Sequence, residues 1–314
     1  MLKLSKLEVF TVVTEEGSFS AAAERLHLSQ PAVSRHMQEL EDALGIRLFK
    51  RLRRGVSLTP GGEILRDYTV QILYLVREAE GALTDVTSLA VGQVKVGATP
   101  GVSVYLLPRW TRSFTKVYPN LTVSLSTNTT SGVIDDIVTG RVDLGVVEGE
   151  LEDVWRERLD SIVLQDIDLM LVVGEEHPWW EVNVIGVEAL DKHPFVTRQP
   201  GSRTRVWIDE ILASKGIQPR LVAEFDNPEA IKEATMAGLG ATILPDYAVT
   251  RERANGLLRA IPIADLQLQR QLKLLWDTER PFSPVARAFL VHLSEMFRGI
   301  EPIIPKISAD IFQS

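Results

Sequence analysis

Residues 29–41 read SQPAVSRHMQELE, and this stretch decides the fold of the N-terminal part of the chain. Ser29 is a favoured helix-capping residue, and Pro31 suits the first turn that follows it. Apolar residues then recur at helical spacing, at Val33, Met37 and Leu40. The opposite face carries glutamine, serine and arginine, whose side chains suit the base edges and phosphates of DNA. The stretch therefore predicts an amphipathic helix whose outer face reads DNA.

The segments on either side of this helix predict a winged helix-turn-helix. A first helix, ending at Gly17, is indicated by Leu7, Phe10 and Val13. The run SAAAERL at 20–26 favours a second helix, which a tight turn separates from Ser29. Downstream, RLFKRLRRGVSLT at 47–59 alternates and bends at Arg54 and Gly55, which indicates a small hairpin or wing.

A long helix is expected next, with Thr59 as its cap and Pro60 at its first position. Its apolar residues form a narrow stripe, at Leu65, Tyr68, Ile72, Leu75, Ala79, Leu83 and Val86. Such a stripe packs either on its own chain or against a second copy. We favour self-association, because a narrow seam at coiled-coil spacing is typical of helices that pair.

The charge of the chain is unevenly distributed. The formal net charge of the 314 residues is −8. Residues 1–62 nevertheless hold nine basic and seven acidic residues, a local charge of +2, and the remainder carries −10. A local basic patch, rather than total charge, is what a nucleic-acid site requires. The lack of cysteine excludes disulfides and thiolate metal sites, and the lack of a signal peptide or long apolar run predicts a cytoplasmic protein.

From Gly92 onward, strands and helices alternate, which predicts a mainly parallel sheet. One series has strands near 94–99, 121–127 and 142–147, and a second has strands near 195–197, 220–225 and 241–245. Two further strands, near 167–174 and 272–276, would cross between the series. We therefore expect two lobes with a cleft between them, followed by a last helix near 284–298 and a tail without a clear pattern.

Polar residues that end strands and begin helices are the candidates for binding a ligand in this cleft. Three segments have this character: Thr99-Pro100-Gly101, Gly201-Ser202-Arg203-Thr204 and Asp226-Asn227-Pro228. Free N–H groups at helix starts attract anions, and ligands collect at the carboxyl ends of strands in open α/β sheets. The alternative is that these residues are only caps and turns. Glu148 would bind a cationic or hydroxyl group, or simply cap a turn.

The residues give little support to an enzymatic function. The sequence has no GxSxG, HExxH or P-loop pattern, and its five histidines show no metal-ligand spacing. The partial glycine pattern GLGATI at 238–243 runs from a predicted helix into a strand, the reverse of a dinucleotide fingerprint. A solute-binding protein would explain two lobes but not residues 1–91. Trp179 and Trp180 are interpreted as packing residues rather than a ligand platform.

The sequence resembles the LysR-type transcriptional regulators over about residues 3–298. The N-terminal pattern that carries the resemblance is Phe10, Gly17, Ser18, Ala22, Ala23, Leu26, Ser29, Gln30, Pro31, Ser34, Leu40, Glu41, Leu44, Gly45, Leu48, Phe49, Arg51, Leu58 and Thr59, followed by Gly61 or Gly62. The resemblance implies a winged helix-turn-helix, a dimerising linker helix and a C-terminal effector domain of two Rossmann-like lobes, similar to periplasmic binding proteins. It also implies a homotetramer on two neighbouring DNA sites.

Within that family, the C-terminal half is similar to regulators of carbon fixation and of sulfur or cysteine assimilation. The residues behind this are 146–150, 195–205 and 226–245. The chain departs from that subgroup at Arg203, where a small residue is usual. It also has Thr99-Pro100-Gly101 where the family often has a Ser/Thr run.

Taken together, these patterns predict a DNA-binding domain at 1–59, a linker helix at 60–91, an effector domain at 92–300 and a tail at 301–314. Lobe 1 would comprise about 92–163 and 269–300, and lobe 2 about 164–268. The predicted DNA-binding residues are Ser29, Gln30, Pro31, Ser34, Arg35, Gln38, Arg51, Arg53 and Arg54. The predicted effector-binding residues are Thr99, Pro100, Gly101, Asn128, Thr130, Glu148, Gln199, Gly201, Ser202, Arg203, Thr204, Asp226 and Asn227.

The partners expected are double-stranded DNA, a small anionic effector, further copies of the chain and RNA polymerase, without a membrane. No catalytic residue, metal or cofactor is expected.

Overall fold

The computed structural model describes residues 3–52, 55–82, 91–151 and 158–303. These residues fall into two compact units. The first lies within Met1–Asp85 together with Thr139–Arg141, and the second lies within Val86–Val138 and Val142–Ser314. No helix of the described ranges is long and apolar enough to cross a membrane.

The first unit is a three-helix head with a two-stranded wing and a long helix. Its elements are α1 (Leu4–Glu16), α2 (Phe19–Arg25), α3 (Gln30–Leu44), β1 (Phe49–Arg51), β2 (Val56–Leu58) and α4 (Pro60–Ala82). Gly17 ends α1 and Gly45 ends α3, both in the left-handed conformation that glycine adopts without a Cβ penalty. The predicted winged helix-turn-helix is confirmed.

The wing is attached to the head by an aromatic cluster and by one close backbone approach. The ring of Phe49 packs 5.3 Å from Phe10 and 5.6 Å from Phe19, measured between centroids. At the turn, a Cβ on Gly55 would lie 2.3 Å from the carbonyl oxygen of Gly17. The N–H of Val56 donates to that same oxygen at 2.8 Å. Only glycine at position 55 allows this contact.

Helix α4 begins where the sequence predicts. The residues of its apolar stripe, however, differ in exposure. Thr59 Oγ1 accepts from the N–H of Gly62 at 3.1 Å, which caps the helix. Leu65 is buried and Ile72 is partly buried, and both pack into the core of the head, whereas Tyr68 is 61% exposed. The side chains of Leu75 and Ala79, and all of Leu83 and Val86, lie outside the described residues. Part of the stripe therefore packs on its own chain, which was the alternative to self-association.

The second unit is built on one seven-stranded sheet. Its strands are β3 (Gly92–Ala98), β4 (Leu121–Thr127), β5 (Leu144–Glu148), β6 (Leu159–Gly174), β10 (Thr242–Pro245), β11 (Leu258–Ile261) and β13 (Leu268–Asp277). The unit also has two separate two-stranded sheets. One pairs β7 (Ile185–Gly186) with β12 (Ile263–Ala264), and the other pairs β8 (Pro194–Arg198) with β9 (Arg220–Phe225). The helices are α5 (Leu107–Val117), α6 (Thr130–Val138), α7 (Arg203–Ser214), α8 (Pro228–Met236), α9 (Asp246–Ala254) and α10 (Pro284–Ser294).

Two long strands, β6 and β13, join the two lobes. They pair antiparallel over their length, with a register shift between Leu272 and Lys273. In lobe 1, β13 also pairs with β5, and β5 and β4 flank β3 in parallel. In lobe 2, β6 pairs with β10 and β11, and β8 and β9 run parallel. The seven-stranded sheet is therefore mixed, with β3, β4 and β5 parallel and the pairs made by the crossing strands antiparallel, while the parallel pair β8–β9 forms a separate sheet. The prediction of a mainly parallel sheet holds only for these two parallel groups.

A few elements were not anticipated from the sequence. The chain forms a π-helical turn at Val102–Leu106 before α5, in place of the start of one regular helix. Helix α9 and strand β11 follow β10 in a region that had no assignment. The last helix is shorter than predicted, and a 3₁₀ segment at Arg298–Ile303 includes the first residues of the tail. The rest of the tail lies outside the described residues.

Candidate functional site

The outer face of α3 is the candidate nucleic-acid interface. Its inner face holds Val33, Met37 and Leu40, which are at most 2% exposed, so the helix is fixed in the head by its apolar side. On the other face, Ser29, Gln30, Pro31, Arg35 and Gln38 are exposed, and Ser34 is half-buried. One helix face is therefore fixed by packing, while the opposite face presents polar side chains to solvent.

The exposed long side chains of the predicted readout face are not held by hydrogen bonds in the described part of the chain. Among the described residues, the side chains of Gln30, Arg35 and Gln38 form no hydrogen bond. Ser29 Oγ accepts from the N–H of Ala32 at 3.3 Å and so caps the helix, which leaves its proton and a second lone pair available outward. Amide and guanidinium groups held on a fixed helix are suited to base edges in a major groove.

The wing is positioned by a buried carboxylate that sequence analysis treated only as part of a pattern. Glu41 is 9% exposed, and its Oε1 accepts from the N–H of Leu48 at 2.7 Å and of Phe49 at 3.3 Å. Its Oε2 lies 2.7 Å from Arg47 Nη1. Since these N–H groups enter β1, the carboxylate couples the wing to the end of α3.

The predicted wing contacts are only partly described by the structure. Arg51 lies in β1, but its side chain is outside the described part, as are Arg53 and Arg54 altogether. Lys50, the neighbour of Arg51, is exposed on the same strand. The assignment of these arginines to phosphate contacts stays a prediction.

The cleft between the lobes is the candidate ligand site, and a buried carboxylate lies where the two lobes meet. Glu148 ends β5 in lobe 1 and is 9% exposed. Its Oε1 accepts a hydrogen bond from the hydroxyl of Tyr247, which belongs to α9 in lobe 2. A Cβ on Gly101 would lie 2.7 Å from that hydroxyl, so the glycine leaves room for the contact. Thr99, directly after β3, is buried, and its Oγ1 has no partner among the described residues.

Arg270, from the crossing strand β13, binds the main chain of Glu148. Its Nη2 donates to the main-chain oxygen of Glu148 at 2.9 Å, and its Nη1 donates to Thr204 Oγ1 at 2.6 Å. The guanidinium packs on Gly149, where a Cβ would lie 1.7 Å from Nη2 and where φ is +90°. Within the described residues, the buried Nε of Arg270 has no hydrogen-bond partner.

Arg198 brings a second guanidinium into range of the same carboxylate. It ends β8, and its Nη2 donates to the main-chain oxygen of Asp226 at 2.7 Å. Its Nε is buried and, like that of Arg270, meets no partner in the described part of the chain. Unpartnered buried donors are costly, at about 1–3 kcal/mol each or more when charged. Both guanidinium charges act on the Glu148 carboxylate and oppose the rise of its pKa.

The titration behaviour of these groups follows from their burial. Burial raises the pKa of Glu148, while the Tyr247 hydrogen bond and the charges of Arg270 and Arg198 oppose that rise. Burial also lowers the pKa of Arg270 and of Arg198, an effect that the Glu148 charge opposes. The pKa of Tyr247 is raised well above its ordinary value, first by burial and then by the Glu148 charge. Tyr247 is therefore a neutral donor at physiological pH.

Several predicted effector residues serve as helix caps. Ser202 Oγ accepts from the N–H of Arg205 at 3.4 Å and caps α7, and Asn227 Oδ1 accepts from Ala230 and caps α8. Arg205 itself binds Glu224 and Asp209, so its charge is already paired. These contacts match the cap-and-turn alternative, although the hydroxyl proton of the buried Ser202 stays available.

The other predicted residues belong to both lobes and differ in exposure. Asn128 is exposed, and its Nδ2 lies 3.4 Å from Asp136 Oδ2, whereas Thr130 is buried at the start of α6. On the lobe 2 side, the exposed residues are Gln199, Gly201, Arg203 and Asp226. On the lobe 1 side, Pro100 is half-buried. Arg203 lowers the pKa of Arg270 through charge repulsion, which places the two guanidiniums near one another.

Sequence reasoning missed Arg198, Tyr247 and Arg270. Arg198 lies within the stretch 195–205 that carries the subgroup resemblance, so its position was a usable signal. Arg270 and Tyr247 carry no comparable signal. They lie 122 and 99 residues from Glu148, and only the crossing strand and α9 bring them to it.

A second contact between the lobes lies next to this cluster. The ammonium of Lys232, from α8, is 4.8 Å from the ring centroid of Tyr105, which belongs to the π-helical turn. Lys232 is 3% exposed and pairs with Glu252 at 2.8 Å, so its charge is compensated within lobe 2. The ring of Tyr105 also lies 5.8 Å from that of Tyr247. The π-helical turn therefore contacts the same part of lobe 2 as Glu148.

Two of the histidines, scattered in the sequence, meet in lobe 2. The Nε2 atoms of His177 and His193 are 2.9 Å apart, and the ring of Trp179 stacks on His193 at 3.9 Å. His177 Nδ1 accepts from the N–H of Trp179, so a neutral His177 carries its proton on Nε2 and donates to His193. Burial is the main cause that lowers the pKa of His177, to about 4. Trp179 thus packs within the lobe, consistent with its interpretation as a packing residue.

Comparison with known proteins shows which family the chain matches. Residues 4–63 match the bacterial regulatory helix-turn-helix protein model of the lysR family, and residues 88–298 match the LysR substrate binding domain. A probable RuBisCO transcriptional regulator of Cyanophora paradoxa is 33% identical over 99% of this chain and 97% of its own length.

Solved structures show the same fold. Full-length CbnR complexed with its target DNA has a TM-score of 0.69 at 24% identity, covering 94% of this chain and 99% of that one. The CcmR regulatory domain of Synechocystis PCC6803 in complex with 2-PG has a TM-score of 0.60 at 23% identity, covering 66% of this chain and 98% of that one. The two family models together span both units, and the chain belongs to the LysR family of DNA-binding transcriptional regulators.

Proposed function

We propose that this chain is a sequence-specific regulator whose activity is modulated by a small anionic metabolite bound between the two lobes of its effector domain. The observation that carries the proposal is the pair of buried guanidinium Nε atoms, on Arg198 and Arg270, without a partner among the described residues. Thr99 Oγ1, directly after β3, is a third buried polar atom without a partner among the described residues. An oxyanion is the ligand that satisfies such donors with charge-assisted hydrogen bonds.

The mechanism is a shift of populations between lobe arrangements. Residues of lobe 1 and lobe 2 both reach Glu148, so an anion held there interacts differently with an open and a closed cleft. A ligand shifts such an equilibrium only by its differential affinity for the two states. We infer that the chain works in the cytoplasm as a homotetramer, in which this shift changes the spacing of the DNA-binding heads and contact with RNA polymerase.

The anion site is tested by ligand-dependent thermal stability of the full chain. Screening sulfate, phosphate and small carboxylates should reveal an anion that raises the melting temperature, because it binds the folded state. Arg270→Gln should abolish this rise in melting temperature, since glutamine lacks both the charge and the forked N–H donors of the guanidinium. Arg259→Gln is a matched control, because this arginine of β11 pairs with Asn183 and Glu181 instead. An anion response that persists in Arg270→Gln would contradict the site.

Coupling to DNA is tested with the same proteins. A duplex selected from a random pool by the full chain serves as probe, and its affinity is measured with and without the anion by fluorescence anisotropy. Because coupling free energies are reciprocal, the anion and the duplex should change each other's affinity by the same factor. An anion that binds without any change in DNA affinity, bend or half-site preference would refute the regulatory mechanism.

A further inference from the structure

The π-helical turn at Val102–Leu106 carries an aromatic ring by which lobe 1 contacts lobe 2. In this turn the N–H of Leu107 bonds to the carbonyl oxygen of Val102, five residues earlier, whereas an α-helical N–H bonds to the fourth residue before it. The turn therefore holds one extra residue. Val102 and Leu106 are buried in the core and anchor the turn, while Tyr105 between them reaches lobe 2.

Tyr105 covers a buried ammonium group of lobe 2. The Nζ atom of Lys232 lies 4.8 Å from the centroid of the ring, and Lys232 is 3% exposed. The same Nζ lies 2.8 Å from Glu252 Oε1 and 3.1 Å from Glu229 Oε1. Helices α8 and α9 thus supply a charged socket, formed by Glu229, Lys232 and Glu252, and the ring closes it from lobe 1. A cation–π contact is strongest when the cation is desolvated, as it is here.

The contact between ring and socket is suited to reversible opening. The ammonium of Lys232 has both of its carboxylate partners in lobe 2, so that lobe keeps its ion pairs when the ring leaves. Glu252 Oε2 is buried and has no hydrogen-bond partner among the described residues. Because water would reach this oxygen on opening, its hydration offsets part of the lost cation–π contact.

A second contact crosses between the lobes in the opposite direction. Tyr247 of α9 donates to the carboxylate of Glu148 at the end of β5, and its ring centroid lies 5.8 Å from that of Tyr105. Each lobe therefore places one tyrosine against charged groups of the other. Both contacts are made only by side chains of the protein itself.

We propose that Tyr105 is a latch, which seats in the socket of Glu229, Lys232 and Glu252 and holds the two lobes together in the effector-free chain. This goes beyond the proposed function, because it concerns the resting position of the lobes and not the ligand between them. The ring face of Tyr105 stabilises the closed arrangement, and opening of the lobes withdraws the ring and exposes the ammonium group.

The separation of the lobes in the full chain, without added anion, tests the latch. Because the chain has no cysteine, Arg109→Cys and Glu233→Cys create two unique sites for spin labels. Both positions are exposed, one on α5, which follows the turn, and one on α8, which holds the socket. Double electron–electron resonance measures the distance between the labels, and an excess of unlabelled chain removes the signal between copies.

Tyr105→Ala should lower the ratio of closed to open chains by about 30-fold, the effect of one desolvated cation–π contact, and so lengthen the distance. Tyr105→Phe should keep the distance, since the ring face remains. Val104→Ala is the matched control, at an exposed position of the same turn. Tyr105→Ala combined with Tyr247→Phe should open the lobes further, because both crossing contacts are then lost.

Circular dichroism and the melting temperature show whether each variant is folded. If Tyr105→Ala does not fold, Lys232→Met tests the same contact from lobe 2 and should lengthen the distance in the same way. An unmodified chain with open lobes would overturn the latch, as would an unchanged distance in the combined variant. Equal opening in Tyr105→Phe and Tyr105→Ala would overturn it too, because the hydroxyl and not the ring face would then hold the lobes. Since no anion is used, a missing anion response would refute the proposed function and leave the latch intact.

Discussion

Replacing Glu41 with alanine tests whether a buried carboxylate positions the wing. The change removes the acceptor of the N–H groups of Leu48 and Phe49, at 2.7 Å and 3.3 Å. Leu48 is fully buried, and an unsatisfied buried N–H costs about 1–3 kcal/mol. The Phe49 bond is long and contributes less, and Arg47 is 77% exposed on its side chain, so its ion pair contributes little. The loss of local stability is therefore about 2–4 kcal/mol.

Hydrogen exchange of the full chain measures this loss at the right place, because two compact units do not unfold in one step. The amide of Leu48 should exchange about 30-fold faster or more in Glu41→Ala. Glu41→Gln is the informative control, since its amide oxygen still accepts from Leu48. Asp42→Ala, at an exposed neighbouring position, should change nothing.

Two results would refute the reasoning about Glu41. Unchanged exchange at Leu48 in the alanine variant would show that the carboxylate does not hold the wing. Equal losses of local stability in the glutamine and alanine variants would show that the effect comes from the lost charge and not from the lost hydrogen bond. The DNA affinity of the alanine variant should fall with wing stability, because a mobile wing no longer holds its phosphate contacts in place.

The remaining predictions concern the recognition helix, the start of α4 and the histidine pair. Arg35→Ala should cost about 1–3 kcal/mol on a selected DNA site and little on random duplex; equal losses on both would remove it from base readout. Gly62→Ala should destabilise the head, because its Cβ would lie 2.2 Å from the carbonyl oxygen of Leu48; an unchanged melting temperature would contradict this contact. Since the pKa of His177 falls to about 4 on folding, the unfolded state binds more protons between that pH and the ordinary value near 6.5. Stability should therefore be full near pH 7 and decrease by about 2 kcal/mol at about pH 5. The pH dependence of the free energy of unfolding should flatten in His177→Phe. Parallel curves of stability against pH for the variant and the unmodified chain would show that His193 and His177 do not titrate in this way.

Local patterns determined much of the head from the sequence. The spacing of Val33, Met37 and Leu40 fixed the buried face of α3, and Ser29 and Thr59 marked helix starts that the structure confirms. These features are readable because capping and helical periodicity depend on residues within one or two turns. The alternation of strands and helices likewise predicted both lobes and the crossing strands.

Only the tertiary structure decided which polar groups meet in the cleft. Thr99 and Glu148 were predictable as strand ends, but Tyr247 and Arg270 reach Glu148 across 99 and 122 residues. Ser202 was predictable as a helix start, whereas its service as a cap depended on the observed geometry. A sequence pattern records periodicity and local hydrogen bonding, whereas the partners of a buried charge are set by strand pairing and lobe packing. The sequence therefore determined the kind of protein and the place of its cleft, and the fold decided the chemistry inside it.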